Sequence, residues 1–205
     1  MSVREEYLKR KKIIEQRLHE FSRVRYEGEE RLFYELCFCL LTPQSNGKRC
    51  WDAVRLLMNH DFFHRRLSAR ALERCLRQKT RFYITKARYL LTMKREFPAI
   101  VHALAEHTDG ASLRSWLVNH VKGVGLKEAS HFLRNIGFRN LAILDRHVLN
   151  HLVREGVLSR LPPTLTSRTY LSIEERFHEY SRTIGVPLDC LDLVFWSMET
   201  GEVFK

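Results

Sequence analysis

The chain predicts an all-α fold. Apolar residues recur at helical spacing almost from end to end, and no run alternates apolar and polar residues for long enough to make a strand. Helix-starting Ser, Thr and Asp residues precede these periodic stretches, and Gly or Pro follows them.

Ser2 with Glu5 reads as a capping box, and Val3, Tyr7, Ile14, Leu18 and Phe21 follow on one helical face. A second helix, from about Glu30 to Leu41, is apolar nearly all round and stops before Pro43, so it is expected at the centre of the core. A third spans Gly47 to Met58, and Ser68 caps a short one through about Arg77. Thr85 to Phe97 makes another, expected to end at Pro98. Asp109 caps the helix that carries Leu113, Trp116, Leu117 and Val121. The next runs from Lys127 to Ile136 and ends at Gly137, where a positive φ is wanted. Asp145 caps a helix ended by Gly156. Pro162 and Pro163 mark a crossover before Thr166 to Ile184 and Leu188 to Thr200.

With 205 residues the chain fits one large domain or two small ones that share a cleft. Leu36 to Leu41 is far shorter than the ~20 apolar residues of a spanning helix, so no membrane is expected. The start Ser-Val-Arg-Glu-Glu has no apolar h-region and gives no sign of secretion. Cys37, Cys39, Cys50, Cys75 and Cys190 are odd in number and form no C-x-x-C pair, which fits a reducing, cytoplasmic setting and small core hydrophobes.

Residues 45 to 95 hold 14 Lys/Arg against Asp52, Asp61 and Glu73, so this segment alone accounts for the +11 charge of the chain. A face that neutralises phosphates would have this distribution, and so would a solvated basic surface.

Gly123-Val124-Gly125 joins two amphipathic helices. Glycines there let the backbone turn tightly and approach another chain, and the amides opening the next helix point toward a phosphate. Lys122 could add charge, and Val124 would pin the turn to the core. The plain alternative is an ordinary helix connection. Lys127 opens the second helix, where the macrodipole disfavours a cation. It is either a solvated lysine or an amine that the helix end and partial burial keep neutral enough to act as a nucleophile. Asp145 caps its helix and can at the same time hold a carboxylate near a developing positive charge.

The run Lys122-Gly-Val-Gly-Leu-Lys-Glu-Ala-Ser-His-Phe-Leu-Arg-Asn135, followed by Leu141-Ala-Ile-Leu-Asp-Arg-His147, resembles the helix-hairpin-helix DNA glycosylases that also nick abasic sites. More narrowly, it is similar to the compact, archaeal-type second branch of the 8-oxoguanine DNA glycosylases. The likeness runs from Glu35-Leu-Cys-Phe-Cys-Leu-Leu-Thr42 to the tail Thr200-Gly-Glu-Val-Phe-Lys205. It implies one glycosylase unit over residues 1–205, built from two interleaved helical subdomains flanking a DNA-binding cleft, with the helix-hairpin-helix motif at about 111–136.

It also implies base-excision repair. Duplex DNA is bent and the damaged nucleotide flipped out. Lys127 attacks C1′ and displaces the base, Asp145 stabilises positive charge on the sugar, and the Schiff base permits β-elimination. The implied partner is double-stranded DNA containing 8-oxoguanine, with the protein a monomer. No metal or cofactor is implied. A related branch carries a four-cysteine iron-sulfur cluster after its catalytic segment, whereas here only Cys190 lies beyond Cys75, so no cluster is expected.

Guanine accepts at N7 and 8-oxoguanine donates there, so a pocket acceptor selects the lesion. By resemblance the pocket residues are Trp196, Asp192 and Lys205. Trp196 would stack, and Asp192 or a carboxylate at Lys205 would accept. Read alone, Trp196 is a core aromatic and Asp192 an ordinary helix residue. Lys122, Gly123, Gly125, Arg146 and His147 are the candidate DNA-backbone contacts. Gln44, after Leu41-Thr42, either enters the gap left by the flipped base or belongs to a polar turn started by Pro43. His131 sits at i+4 from Lys127 and reads as a packing histidine or a residue touching the cleft. His60 with His64, and His102 with His107, make no convincing metal set without acidic or cysteine partners. Three functions stay open: the bifunctional 8-oxoguanine glycosylase and lyase, a glycosylase of this fold for another lesion, and a non-catalytic helix-hairpin-helix binding module.

Overall fold

The computed structural model describes residues 2–205. Among them are ten α-helices and no strand: α1 (Val3–Val24), α2 (Glu29–Leu41), α3 (Gly47–Asn59), α4 (Ala69–Leu76), α5 (Tyr83–Glu106), α6 (Gly110–His120), α7 (Leu126–Asn135), α8 (Arg146–Arg154), α9 (Ser167–Ile184) and α10 (Leu188–Thr200). The all-α expectation holds. The chain divides into two compact units, one formed by Val24–Phe132 and the other by the chain up to Arg23 with Leu133–Lys205. No helix is long and apolar enough to cross a membrane.

Helix starts follow the local chemistry read in the sequence. Ser2 and Glu5 exchange bonds in both directions, the Ser2 amide donating to Glu5 Oε2 at 2.9 Å and the Glu5 amide to Ser2 Oγ at 3.3 Å. Asn46, Ser68, Asp109, Asp145 and Thr166 each accept from an amide in the first turn of the helix they precede. Each such cap contributes about 1 kcal/mol.

In the unit Val24–Phe132, α2 buries every residue from Leu32 to Leu41. Glu35 is fully buried among them, and Arg31 Nη2 reaches its carboxylate at 2.9 Å. Phe33 packs 5.1 Å from Phe97, 5.3 Å from Phe63 and 5.5 Å from Phe62, mostly edge to face.

Pro98 does not end its helix as expected, because α5 runs through it to Glu106. An interior proline costs about 3 kcal/mol. Beyond it, however, Ile100, Ala103 and Leu104 are buried, and burying a large aliphatic side chain contributes about 1.5–3 kcal/mol. Pro98 itself is exposed, so the Lys94 carbonyl it leaves without a helical donor lies on the solvent side.

In the other unit, α1 buries Val3, Tyr7, Ile14, Leu18 and Phe21. Phe177 of α9 stacks on Phe195 of α10, and His151 of α8 stacks on Phe195 at 4.5 Å. All five cysteines are free and buried, as their expected core role requires.

Candidate active site

The turn between α6 and α7 forms the hairpin. Val121 and Val124 are buried, which pins the turn, while Lys122 and Gly123 are exposed. Gly123 has φ +90, and a Cβ there would lie 2.4 Å from Cδ2 of Tyr89, so glycine is required by both conformation and space. Gly125 has ordinary backbone, and its Cβ would meet only Glu128 Oε2 at 3.1 Å. Packing within the protein therefore demands glycine at 123 and not at 125.

Glu128 was not singled out in the sequence. Its Oε2 accepts from the Gly125 amide at 3.2 Å, half of a capping box whose signature is a glutamate three residues after the helix cap. The amides of Leu126, Lys127 and Glu128 in the first turn of α7 have no acceptor among the described residues. They are the amides open to an anion.

Lys127 lies in that turn, with its side chain 20% exposed. Nζ donates to Thr42 Oγ1 at 3.3 Å and sits 3.6 Å from Glu128 Oε1. Thr42 is the C-cap of α2, and its hydroxyl donates to the Cys39 carbonyl at 2.9 Å. The amine is thus held at the end of the buried helix, reachable from solvent and close to one carboxylate. His131, one turn on, is buried and meets the Phe38 ring edge to face at 5.5 Å. This is the packing alternative.

Asp145 belongs to the other unit. It follows Leu141–Leu144, a buried stretch outside any helix whose backbone must find side-chain partners. The Ala142 amide donates to Glu174 Oε1 at 2.7 Å, the Ala142 carbonyl accepts from the Tyr170 hydroxyl at 2.6 Å, and the Asn140 amide donates to the Asp189 carboxylate. Burial pushes the Asp189 carboxyl up from the usual carboxylate range. So anchored, Asp145 Oδ1 caps α8 by accepting from the Val148 amide at 2.8 Å, and Oδ2 has no partner among the described residues.

Arg146 is exposed and His147 half-buried at the start of α8, and the His147 ring meets Trp196 edge to face at 5.6 Å. The structure thus brings two separately read residues together. The buried indole Nε1 of Trp196 has no acceptor among the described residues. Asp192 Oδ2 is 3.0 Å from Nη2 of the buried Arg134, so its carboxylate already serves an ion pair. Lys205 is half-buried. Gln44 is exposed with φ +53, a left-handed backbone uncommon for glutamine. His64 does find acidic neighbours, since its ligand atom lies within 4.8 Å of those of Asp61 and Glu30, and its Nδ1 is 2.7 Å from Asp61 Oδ1.

Sequence reasoning missed three further residues of the unit Val24–Phe132. Phe82, 54% exposed, caps α5 in the left-handed region at φ +56, with the Arg81 guanidinium 5.3 Å from its ring. A bulky residue at positive φ is strained, and such strain concentrates at functional positions. The only available signal was an aromatic inside the basic segment. Tyr89 supports the hairpin through Gly123. Lys86 is buried, and burial pulls its ammonium down to about 8.

Comparison with known proteins agrees with the geometry. The family described as 8-oxoguanine DNA glycosylase (Ogg-HhH) matches residues 14–186. An 8-oxoguanine DNA glycosylase/AP lyase of Korarchaeum cryptofilum is 40% identical over 95% of this chain and 91% of its own length. One of Fusobacterium nucleatum is 36% identical over 93% and 90%. Among solved structures, the Methanocaldococcus jannaschii 8-oxoguanine glycosylase/lyase in complex with a 15mer DNA containing 8-oxoguanine superposes with a TM-score of 0.90 at 32% identity, covering 100% of both chains. With a hairpin followed by Lys127 and a capping Asp145, and with this extent of likeness, the chain belongs to the helix-hairpin-helix 8-oxoguanine DNA glycosylase family.

Proposed function

We propose that this chain excises 8-oxoguanine from duplex DNA and then nicks the abasic site, with Lys127 as the nucleophile and Asp145 as its carboxylate partner. The observation that carries this reading is Lys127 itself: an amine in the first turn after the hairpin, held by Thr42 at 3.3 Å yet open to solvent. The names of the relatives and the DNA-bound neighbour support it.

In this mechanism the lone pair of Lys127 Nζ forms a bond to C1′ while the bond from C1′ to the base breaks, and the base leaves with the electron pair and takes up a proton. Asp145 Oδ2 stabilises the positive charge that develops on the sugar. Opening of the sugar ring gives the imine between Lys127 and C1′. Its cationic form acidifies the C2′ hydrogen, whose loss expels the 3′ phosphate by β-elimination, and water then releases the lysine.

Lys122, Gly123, Gly125, Arg146 and His147 serve the DNA backbone in this reading. Trp196 and Lys205 read the base, and Asp192 acts with Arg134 in shaping that pocket. Gln44 and Phe82 fill the space vacated by the flipped nucleotide, Phe82 as an apolar wedge. The partner is double-stranded DNA containing 8-oxoguanine, the working unit is one chain in a cytoplasmic setting, and neither a metal nor an iron-sulfur cluster takes part.

Borohydride reduction during turnover tests the reading. A covalent adduct with 8-oxoguanine duplex is expected from the wild type and none from Lys127→Gln. Adducts in Lys127→Gln, or equal excision of another lesion across a panel, would overturn the assignment of nucleophile or of substrate respectively.

A further inference from the structure

Lys86 on α5 is 4% exposed, and its Nζ lies 2.7 Å from the Leu41 carbonyl, 2.8 Å from that of Pro43, 3.1 Å from Ser45 Oγ and 2.7 Å from Thr80 Oγ1. These acceptors also bond to one another and to the surrounding backbone. Thr80 Oγ1 is 2.8 Å from both Ser45 Oγ and the Leu41 carbonyl, and Ser45 Oγ accepts from the Arg81 amide at 2.9 Å. One buried ammonium therefore joins the end of α2, the turn 42–46 and the turn 80–82.

Each turn presents one exposed non-glycine residue in the left-handed region, Gln44 at φ +53 and Phe82 at φ +56. The first turn also contains Thr42, which receives Lys127. A loop clamp needed only for stability has little use for a buried charge, because taking an ammonium out of water costs several kcal/mol before its partners compensate. Here burial dominates, the charges of Lys127 and Arg81 add to the cost, and Cys50 and Glu128 offset part of it. What the ammonium supplies is geometry: three protons directed at acceptors from two turns at once.

We infer that Lys86 is a positioning residue, whose ammonium fixes the turns 42–46 and 80–82 to one another and so places Gln44 and Phe82 for opening the duplex. The inference rests on the proposed glycosylase reading. Its experiment uses an abasic site in place of the oxidised base, so that the two can fail separately.

Borohydride trapping rates are compared for an abasic site in a duplex, which must be opened, and in a single strand, which need not be. Lys86→Met is expected to slow duplex trapping by about tenfold to a hundredfold, and single-strand trapping by less than about threefold. Thr80→Val and Ser45→Ala, which keep Lys86 but each remove one acceptor, are expected to shift the same ratio by smaller amounts. These two variants decide the matter if Lys86→Met does not fold. Equal losses on both substrates, or no loss on the duplex, would overturn the inference. A wild type that traps abasic DNA but ignores 8-oxoguanine would instead refute only the substrate reading.

Discussion

Replacing Gly123 by alanine tests the hairpin most directly. The added Cβ would lie 2.4, 2.7 and 2.9 Å from Cδ2, Cε2 and Cγ of Tyr89, where carbon atoms pack best at about 3.5–4.0 Å. Cγ is the ring's point of attachment, so rotation of the ring alone gives no relief. The backbone at φ +90 adds its own cost. A left-handed L-residue costs about 1–2 kcal/mol and an overpacked site about 1–3 kcal/mol, so Gly123→Ala is expected to lose about 2–5 kcal/mol or to displace the turn. Urea unfolding of four variants separates these contributions. Gly125→Ala, with ordinary backbone and only Glu128 Oε2 to meet, is expected to stay within about 1 kcal/mol of wild type. Adding Tyr89→Ala to Gly123→Ala should recover the steric part, measured against Tyr89→Ala alone, and leave the conformational part. On DNA, a displaced hairpin should make the dependence of log affinity on log salt shallower by about 0.9 for each phosphate that the protein no longer neutralises. If Gly123→Ala proves as stable as Gly125→Ala, or the double variant shows no recovery, Tyr89 does not brace the hairpin.

Three other perturbations have defined outcomes. Asp145→Asn keeps an equally good helix cap, so the melting temperature should hold while single-turnover excision falls by about a hundredfold or more; parallel losses in stability and rate would assign Asp145 to capping alone. Pro98→Ala should raise stability by about 1 kcal/mol or more, since it restores the α5 hydrogen bond to Lys94, and a lower stability would contradict a continuous α5. Lys86 is held near 8 when folded against an ordinary 10.5, so between those values the unfolded chain binds more protons and stability conferred through this group rises with pH. Denaturant titrations of wild type and Lys86→Met from pH 7 to 10 should therefore diverge in favour of wild type as pH rises, and parallel curves would refute the lowered ammonium.

Helix existence was legible in this chain because its signals are local. A capping residue, an apolar face and a terminating glycine lie within a few residues of one another, as at Ser2, Asp109 and Gly137. Lys127 and Asp145 were legible as candidates for the same reason, since both sit at helix starts with recognisable neighbours. Pro98 misled because the packing that carries α5 past it comes from other helices, and tertiary burial outweighed a local rule. Tyr89, Lys86 and the pair Tyr170 and Glu174 were illegible for a related reason. Each acts on residues far along the chain, as with Lys86 on Leu41 or Glu174 on Ala142, and no spacing in the sequence encodes such a meeting. Phe82 showed only as an aromatic inside the basic segment, because a left-handed backbone at phenylalanine contradicts its local preference.

That contradiction bears on how the two turns are built. A non-glycine residue in a sparsely populated region costs about 1–3 kcal/mol, and Gln44 and Phe82 each carry such a cost within the reach of one buried ammonium. If only stability mattered, glycine at position 44 would relieve the strain, and the exposed glutamine side chain would be missed little. Gln44→Gly is therefore expected to leave stability unchanged or improve it by up to about 1 kcal/mol, the greater freedom of the unfolded chain offsetting part of the gain. If the side chain enters the space left by the flipped base, the same variant should excise 8-oxoguanine from duplex several-fold more slowly while trapping a single-stranded abasic site at the wild-type rate. Opposite signs in stability and duplex excision would mark strain kept for function. A Gln44→Gly protein that loses stability yet excises normally would mean that the left-handed turn belongs to folding alone, and would leave Phe82 as the sole candidate wedge of this pair.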